Sequence, residues 1–98
     1  MVNPIEQINK RFESRVRLGI MSILMVNNSM DFNSLKGILE ITDGNLASHL
    51  KALEAEEMIN MFKRFIGRKP NTSYSATDKG RQAFTAHLSA LENLIHKQ

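Results

Sequence analysis

Asn45, Ser48 and Lys51 are the residues whose types and spacing could most directly do chemistry, because they recur at intervals of three. In a helix, this spacing places the three side chains on one side. An amide can pair with adenine through two hydrogen bonds, a hydroxyl can donate or accept, and an ammonium attracts a phosphate. None of the three is too bulky for a groove about 12 Å wide. The pattern fits contact with double-stranded DNA or a plain solvated helix face, and the turn and the hairpin that flank this segment favour DNA.

Three neighbours of this polar side can act in more than one way. Thr42 is of a type that caps helices. Asp43 would favour the helix dipole in the first turn, yet it would repel phosphate, or it could accept from a cytosine amino group. His49 is adjacent to the apolar side, where it could be a packing histidine or a phosphate donor. The candidate DNA contacts in this segment are Thr42, Asn45, Ser48, His49 and Lys51.

A second group of candidates lies between residues 59 and 77, a segment that contains no acidic residue. Residues 59–65 have the composition of a strand, residues 66–71 supply the Gly, Pro and Asn of a hairpin tip, and residues 72–76 can form the return strand. Cations on a projecting hairpin suit phosphates or a narrow minor groove, although charge at a tip can also serve solubility alone. The candidate contacts here are Arg64, Arg68 and Lys69.

The polar side must be held in place by neighbouring elements. We interpret residues 41–61 as one helix that ends in a strand-like run and carries an apolar stripe. That stripe is formed by Leu46, Leu50, Leu53 and Met58. Residues 33–40 predict a shorter helix before it, joined by a turn of the length used in helix-turn-helix units. Residues 30–32 could add a strand with a single bridge.

Another helix should begin after Ser14, which can cap it. The helix has apolar side chains on almost all of its sides, so it must be covered by other elements on two sides. In a chain this short we expect the second cover to be another subunit, and Gly19 would allow that subunit to approach closely. Before it, Ile5, Ile8 and Phe12 are spaced as in a short amphipathic helix.

The last helix should begin after Thr77, which can cap it, and extend to the end of the chain. It would be about 30 Å long, more than this small body needs to cover itself. Its apolar residues follow a 4-3-4 spacing and continue onto neighbouring positions, which predicts a dimer interface shared with the first long helix. The expected dimerisation residues are Leu18, Met21, Phe84, Leu88, Leu91, Leu94 and Ile95.

Length and composition bound the class of the protein. Ninety-eight residues predict one domain, residues 1–98, with a core at residues 14–76 and a dimerisation helix at residues 77–98. No long apolar run or signal-peptide core is present, so we expect a cytoplasmic protein. Cysteine is absent, and two of the three histidines lie on opposite sides of the last helix, so we expect no metal and no cofactor. We expect no enzyme, because no phosphate-binding loop or nucleophile motif occurs.

The order of these elements and several stretches of sequence resemble the winged helix-turn-helix domains of small MarR-type and ArsR-type transcriptional regulators. The stretches are residues 32–35, 38–39, 42–54, 65–70 and 74–81. The resemblance implies an α+β fold, mainly α, with a two-stranded wing, a short third strand and a long C-terminal dimerisation helix. Glu57 departs from the family, whose helix usually ends in glycine there, and a left-handed backbone at Glu57 would store strain of about 1 kcal/mol.

By the same resemblance, we expect a homodimeric repressor that binds a palindromic DNA operator. Its recognition helices would enter successive major grooves, and its wings would touch the flanking backbone or minor groove. Two alternatives remain open. A winged-helix adaptor that binds protein would keep the core and the dimer helix but would need no basic wing. A ligand-responsive regulator would hold an effector in a pocket at the dimer interface.

Overall fold

The computed structural model describes residue 9, residue 12 and residues 14–96 of the 98-residue chain. This part forms α1 (Arg15–Val26), β1 (Met30–Asp31), α2 (Phe32–Leu39), α3 (Asp43–Ala55), β2 (Ile59–Ile66), β3 (Lys69–Ala76) and α4 (Asp78–His96). Helices predominate and the strands form one antiparallel sheet, so the predicted fold class, α+β and mainly α, is confirmed. The amphipathic helix predicted around Ile5 and Ile8 lies outside the described residues. No described helix is long and apolar enough to cross a membrane.

α1 begins where the sequence predicts, because the Ser14 hydroxyl oxygen accepts hydrogen bonds from the backbone N–H groups of Val16 and Arg17. Gly19, however, has a different neighbour from the one expected. A Cβ at Gly19 would lie 2.6 Å from Cδ2 of Leu39, so the close approach is between α1 and α2 of the same chain. The expectation that a second subunit approaches closely at Gly19 is therefore wrong, because Leu39 of the same chain occupies that position.

Two residues that we expected in a dimer interface lie in the core of the single chain instead. Met21 has no exposed surface, and Phe84 is 3% exposed. The Phe84 ring packs edge to face against Phe12, with 5.3 Å between the ring centroids, and beside His87. α1 contacts α2, α3, α4 and β3, so the second cover of this apolar helix comes largely from its own chain. Met21 and Phe84 are therefore removed from the candidate interface.

Capping residues fix where α2 begins and where it ends. The Asp31 carboxylate accepts hydrogen bonds from the backbone N–H and the hydroxyl of Ser34, at 3.1 and 2.6 Å. Because Asp31 caps α2, Phe32 opens that helix, and β1 is one residue shorter than predicted. α2 ends at Glu40, whose left-handed φ of 53° turns the chain toward α3.

α3 is capped by Thr42, whose hydroxyl oxygen accepts the backbone N–H of Asn45 at 3.1 Å. The helix stops at Ala55, well before the predicted end at residue 61, because Glu57 adopts a left-handed φ of 61°. Met58 is buried as predicted, but it lies in the connection to β2. The buried side of α3 is the leucine stripe, formed by Leu46, Leu50 and Leu53.

The connection around Glu57 is braced by the start of α4. The Thr77 hydroxyl donates to the Glu57 carbonyl at 2.6 Å and accepts the backbone N–H of Gly80 at 2.8 Å. Lys79 adds an exposed ion pair with the Glu57 carboxylate at 3.7 Å. A Cβ at Gly80 would collide with the backbone carbonyl of Met58, so only glycine fits at this crossing.

The sheet has the strand order β1-β3-β2, and its long hairpin is the wing. β2 and β3 pair from Ile59 opposite Ala76 to Ile66 opposite Lys69, which leaves only Gly67 and Arg68 in the turn. The predicted tip at residues 66–71 was therefore too wide, since residues 69–71 belong to β3. A proline at position 70 is tolerated because β1 pairs with β3 only at residues 73 and 74, so the outer part of β3 has a free edge.

Candidate nucleic-acid interface

α3 presents a polar surface opposite the leucine stripe. Asn45, Ser48 and Lys51 are all exposed, as their spacing predicts, and we call them the recognition face. The leucine stripe anchors α3 to the body, because all three leucines are at most 1% exposed. Within the described residues the side-chain amide of Asn45 has no protein partner, so its donor and acceptor groups are available to a base edge.

The two residues at the start of α3 are committed to the protein. The Thr42 hydroxyl oxygen accepts one hydrogen bond in the helix cap, which leaves its proton and one lone pair for a ligand. The Asp43 carboxylate lies 2.7 Å from Nζ of Lys36 on α2, an ion pair that the sequence analysis missed. Because this lysine offsets the charge of Asp43, the acid repels a phosphate less than it would alone.

His49 is half-buried and is held by a residue of another helix. Nε of Arg17 on α1 donates a hydrogen bond to Nδ1 of His49 at 3.1 Å. Burial first, and the Arg17 charge second, lower the pKa of His49 below its usual value of 6.5. The neutral ring therefore carries its proton on Nε2, which remains available as a donor. Packing and donation, the two alternatives for this residue, are thus compatible with each other.

The cations of the wing are exposed on β2 and at the turn. Arg64, Arg68 and Lys69 are all accessible, and the Arg64 guanidinium lies 5.8 Å from the centroid of the Phe62 ring. The pairing of Ile66 with Lys69 places Arg68 in the two-residue turn and Lys69 beside it. The structure therefore keeps these cations on the projecting hairpin, apart from the recognition face on α3.

Two apolar residues at the end of β2 were missed as candidates. Phe65 is 74% exposed and Ile66 is 61% exposed, next to the basic turn. Consecutive residues of a strand lie on opposite faces, so one of them flanks each face of the hairpin. The break in apolar and polar alternation at these positions was the signal that could have identified them.

Comparison with known proteins decides the family. A sequence profile described as a winged helix DNA-binding domain matches residues 16–95. The chain belongs to this winged helix DNA-binding family. A transcriptional regulator homologue from Pyrococcus horikoshii has a similar structure, with a TM-score of 0.87 and 31% sequence identity over 96% of this chain and 95% of that one. The predicted winged helix-turn-helix architecture, which is that of transcriptional regulators, is therefore confirmed.

Two further relatives extend the comparison of this winged helix domain. An uncharacterized protein of Methanocaldococcus jannaschii is 39% identical over 79 residues, which cover 81% of this chain and 86% of that protein. PadR from Bacillus subtilis, solved in complex with operator DNA, matches 76% of this chain and 47% of its own with a TM-score of 0.69 and 18% identity. At that identity, PadR supports the shared fold.

A cleft in the winged helix domain bears on the ligand-responsive alternative. It lies between the start of α2 and the outer part of β3 and encloses about 230 Å³. Its walls include Asp31, Asn33 and Asn71. This volume is below the roughly 300–1,000 Å³ of typical small-molecule sites. A second cleft, on α4, measures about 390 Å³ and is within that range, so volume does not decide against a ligand-responsive regulator. Among the described residues, no three His, Asp or Glu side chains are grouped closely enough to hold a metal ion.

Proposed function

We propose that this winged helix domain is a homodimeric transcriptional repressor that binds a palindromic DNA operator. α3 would lie in the major groove, and the wing would contact the flanking backbone or minor groove. The observation that carries this proposal is the division of α3 into two sides, with the leucine stripe buried and the recognition face exposed. A helix with one anchored side and one small, polar side can enter a groove about 12 Å wide without a clash.

Within the recognition face, the side chains differ in what they can distinguish. The amide of Asn45 can form two hydrogen bonds with adenine, which selects one base. The Ser48 hydroxyl can donate or accept and is less selective, and Lys51 suits a phosphate. Asn45 is the third residue of α3, and the N-terminal residues of a recognition helix are those that usually contact base edges.

The wing favours DNA over a protein partner. Residues 59–77 contain four cations and no acid, and all four cations lie between residues 63 and 69, so the outer part of the hairpin attracts a polyanion. An adaptor for protein partners would have no need of such a surface. The relative solved with operator DNA has the same fold, which supports this choice.

The dimer is proposed from apolar side chains that the single chain leaves uncovered. Leu88 is 47% exposed and Ile95 is 73% exposed on α4, and three further leucines are only partly covered. The candidate interface is formed by Leu18, Leu88, Leu91, Leu94 and Ile95. A second copy could cover the same residues by two-fold symmetry, and such a dimer would repeat the recognition face for two half-sites.

The experiment that tests this function is selection from a random duplex library at about 50 mM and about 200 mM salt. We expect a palindromic motif to be enriched, with binding that falls as salt rises. A matched control carries Asn45→Ala, Ser48→Ala and Lys51→Ala, which leave the leucine stripe intact and should abolish the motif. If the wild-type protein enriches no motif at either salt concentration, sequence-specific binding is wrong and the adaptor gains support.

A further inference from the structure

We propose that Arg17 and His49 form a clamp for one DNA phosphate at the border between α1 and α3. The proposal rests on the DNA binding proposed above and adds a site on α1 to it. Its basis is the hydrogen bond of 3.1 Å from Nε of Arg17 to Nδ1 of His49, which joins residues 32 positions apart in sequence. We call these two residues the phosphate clamp.

The phosphate clamp adjoins the recognition face. His49 follows Ser48 directly and lies four positions after Asn45, so on α3 it is on the same side of the helix as Asn45. Arg17 is the third residue of α1, within the first turn of that helix. A backbone phosphate next to the bases that Asn45 contacts would therefore lie close to the phosphate clamp.

Both members of the phosphate clamp have donors to spare. Because Nδ1 of His49 accepts from Arg17, the neutral imidazole carries its proton on Nε2 and can donate it. Arg17 uses Nε, and within the described chain no hydrogen bond engages the four N–H groups of its two terminal nitrogens. Donors without acceptors match a phosphate group, which offers only acceptor oxygens.

Among the described residues, the charge around the phosphate clamp also suits an anion. α1 contains no acidic residue, and Asp43, the acid in the first turn of α3, is paired with Lys36. A guanidinium binds phosphate through two parallel hydrogen bonds, which a lysine cannot reproduce. His49 positions this fork by accepting its Nε–H, and the contact would fix how α3 is inclined to the DNA backbone.

The test uses a duplex enriched by the selection described above, in which single phosphates are replaced one at a time by neutral methylphosphonates. For the wild-type protein we expect one position per half-site at which the replacement weakens binding on the order of ten-fold, the scale of a lost charge-assisted hydrogen bond. Arg17→Gln should weaken binding of the unmodified duplex similarly and should make that position insensitive. His49→Ala should weaken binding and reduce the sensitivity at that position to a smaller extent. His49→Gln keeps a donor and should bind the duplex more tightly than His49→Ala.

Arg15→Gln is the matched control, because Arg15 is an exposed arginine on the same turn and the hydrogen bond to His49 comes from Arg17 instead. It should lower affinity through charge alone and leave the sensitive phosphate sensitive. If Arg17→Gln and Arg15→Gln behave alike, or if no phosphate loses its sensitivity in Arg17→Gln, the clamp is wrong while DNA binding stands. A library that enriches no duplex would overturn the proposed function and the clamp together. Thermal unfolding of each variant shows whether it is folded, and the methylphosphonate pattern reports on the folded protein that binds.

Discussion

At the scale of single residues, Asn45 should carry most of the choice of sequence. Its exposed amide has no protein partner among the described residues and can form two hydrogen bonds with adenine. Asn45→Ala should cost about 1–3 kcal/mol of binding free energy on the preferred duplex and relax one position per half-site. Repeating the library selection with this variant measures both effects.

Lys51→Ala is the control for this prediction, since loss of a phosphate contact should weaken binding to all sequences alike. If the Asn45→Ala variant selects the wild-type motif with undiminished contrast, Asn45 does not contact bases.

His49 should make the stability of the fold depend on pH. Burial and the Arg17 charge lower the pKa of His49 in the folded state below 6.5, so the unfolded chain takes up a proton first as pH falls. The stabilisation is fully present above the unfolded pKa of about 6.5 and is lost as pH falls from there toward the lower folded pKa. Urea unfolding of the wild type at pH 7.5 and at pH 5.5 should show this decrease.

The His49→Gln variant keeps the other two histidines and isolates the contribution of position 49. Its free energy of unfolding should fall less between the two pH values than that of the wild type. Equal decreases in both proteins would assign the pH dependence to other groups.

At the scale of elements, the wing should supply affinity with little choice of sequence. Arg68 lies in the two-residue turn and Lys69 starts β3, where both are exposed. Replacing both by Ala should weaken specific and random duplexes alike and flatten the salt dependence by about one unit per lost phosphate contact. Binding titrations at several salt concentrations measure the slope.

Lys79→Ala on α4 serves as a charge control for the wing, because Lys79 pairs with Glu57 and lies outside the hairpin. If the wing variant loses only specific binding, Arg68 and Lys69 contact base edges or respond to groove shape.

The end of α3 is an element boundary that carries measurable strain. Glu57 has a left-handed φ of 61°, a conformation that glycine adopts freely. Glu57→Gly should therefore raise the free energy of unfolding by up to about 1 kcal/mol, measured by urea unfolding. Glu56→Gly is the matched control, since its φ of −85° suits any residue, and this change should destabilise the fold. Destabilisation of similar size by both variants would mean that the strain is absent.

At the scale of the whole molecule, α4 should hold two copies together. Leu91 is partly covered and lies between the exposed Leu88 and Ile95 at helical spacing. Leu91→Asp would place a charge in the proposed interface, so it should give monomers or aggregates and abolish DNA binding without altering the recognition face. Analytical ultracentrifugation gives the mass.

Ser89→Asp is the control for the dimer, because Ser89 is exposed on the opposite side of α4 from Leu91. This variant should stay dimeric. A wild-type protein that sediments as a monomer at tens of micromolar would contradict the dimer and the palindromic operator that depends on it.

The features that could be predicted from the sequence alone are those that depend on local interactions. Ser14, Thr42 and Thr77 cap their helices as predicted, because a cap involves residues only two or three positions apart. The leucine stripe of α3 followed from helical period, and the wing followed from its turn residues. The polar side of α3 could be predicted for the same reason, since one face of a helix is a property of nearby residues.

Tertiary structure decided which surfaces are covered and which polar groups meet. An apolar pattern shows that Met21 and Phe84 must be buried, but only packing shows that their own chain buries them, because a core and an interface favour the same residue types. Arg17 meets His49 across 32 positions, and Arg81 donates to the carbonyls of Met25 and Leu24 across 56 and 57 positions, respectively. No period or spacing encodes such contacts, because they depend on how separate elements are brought together by the fold.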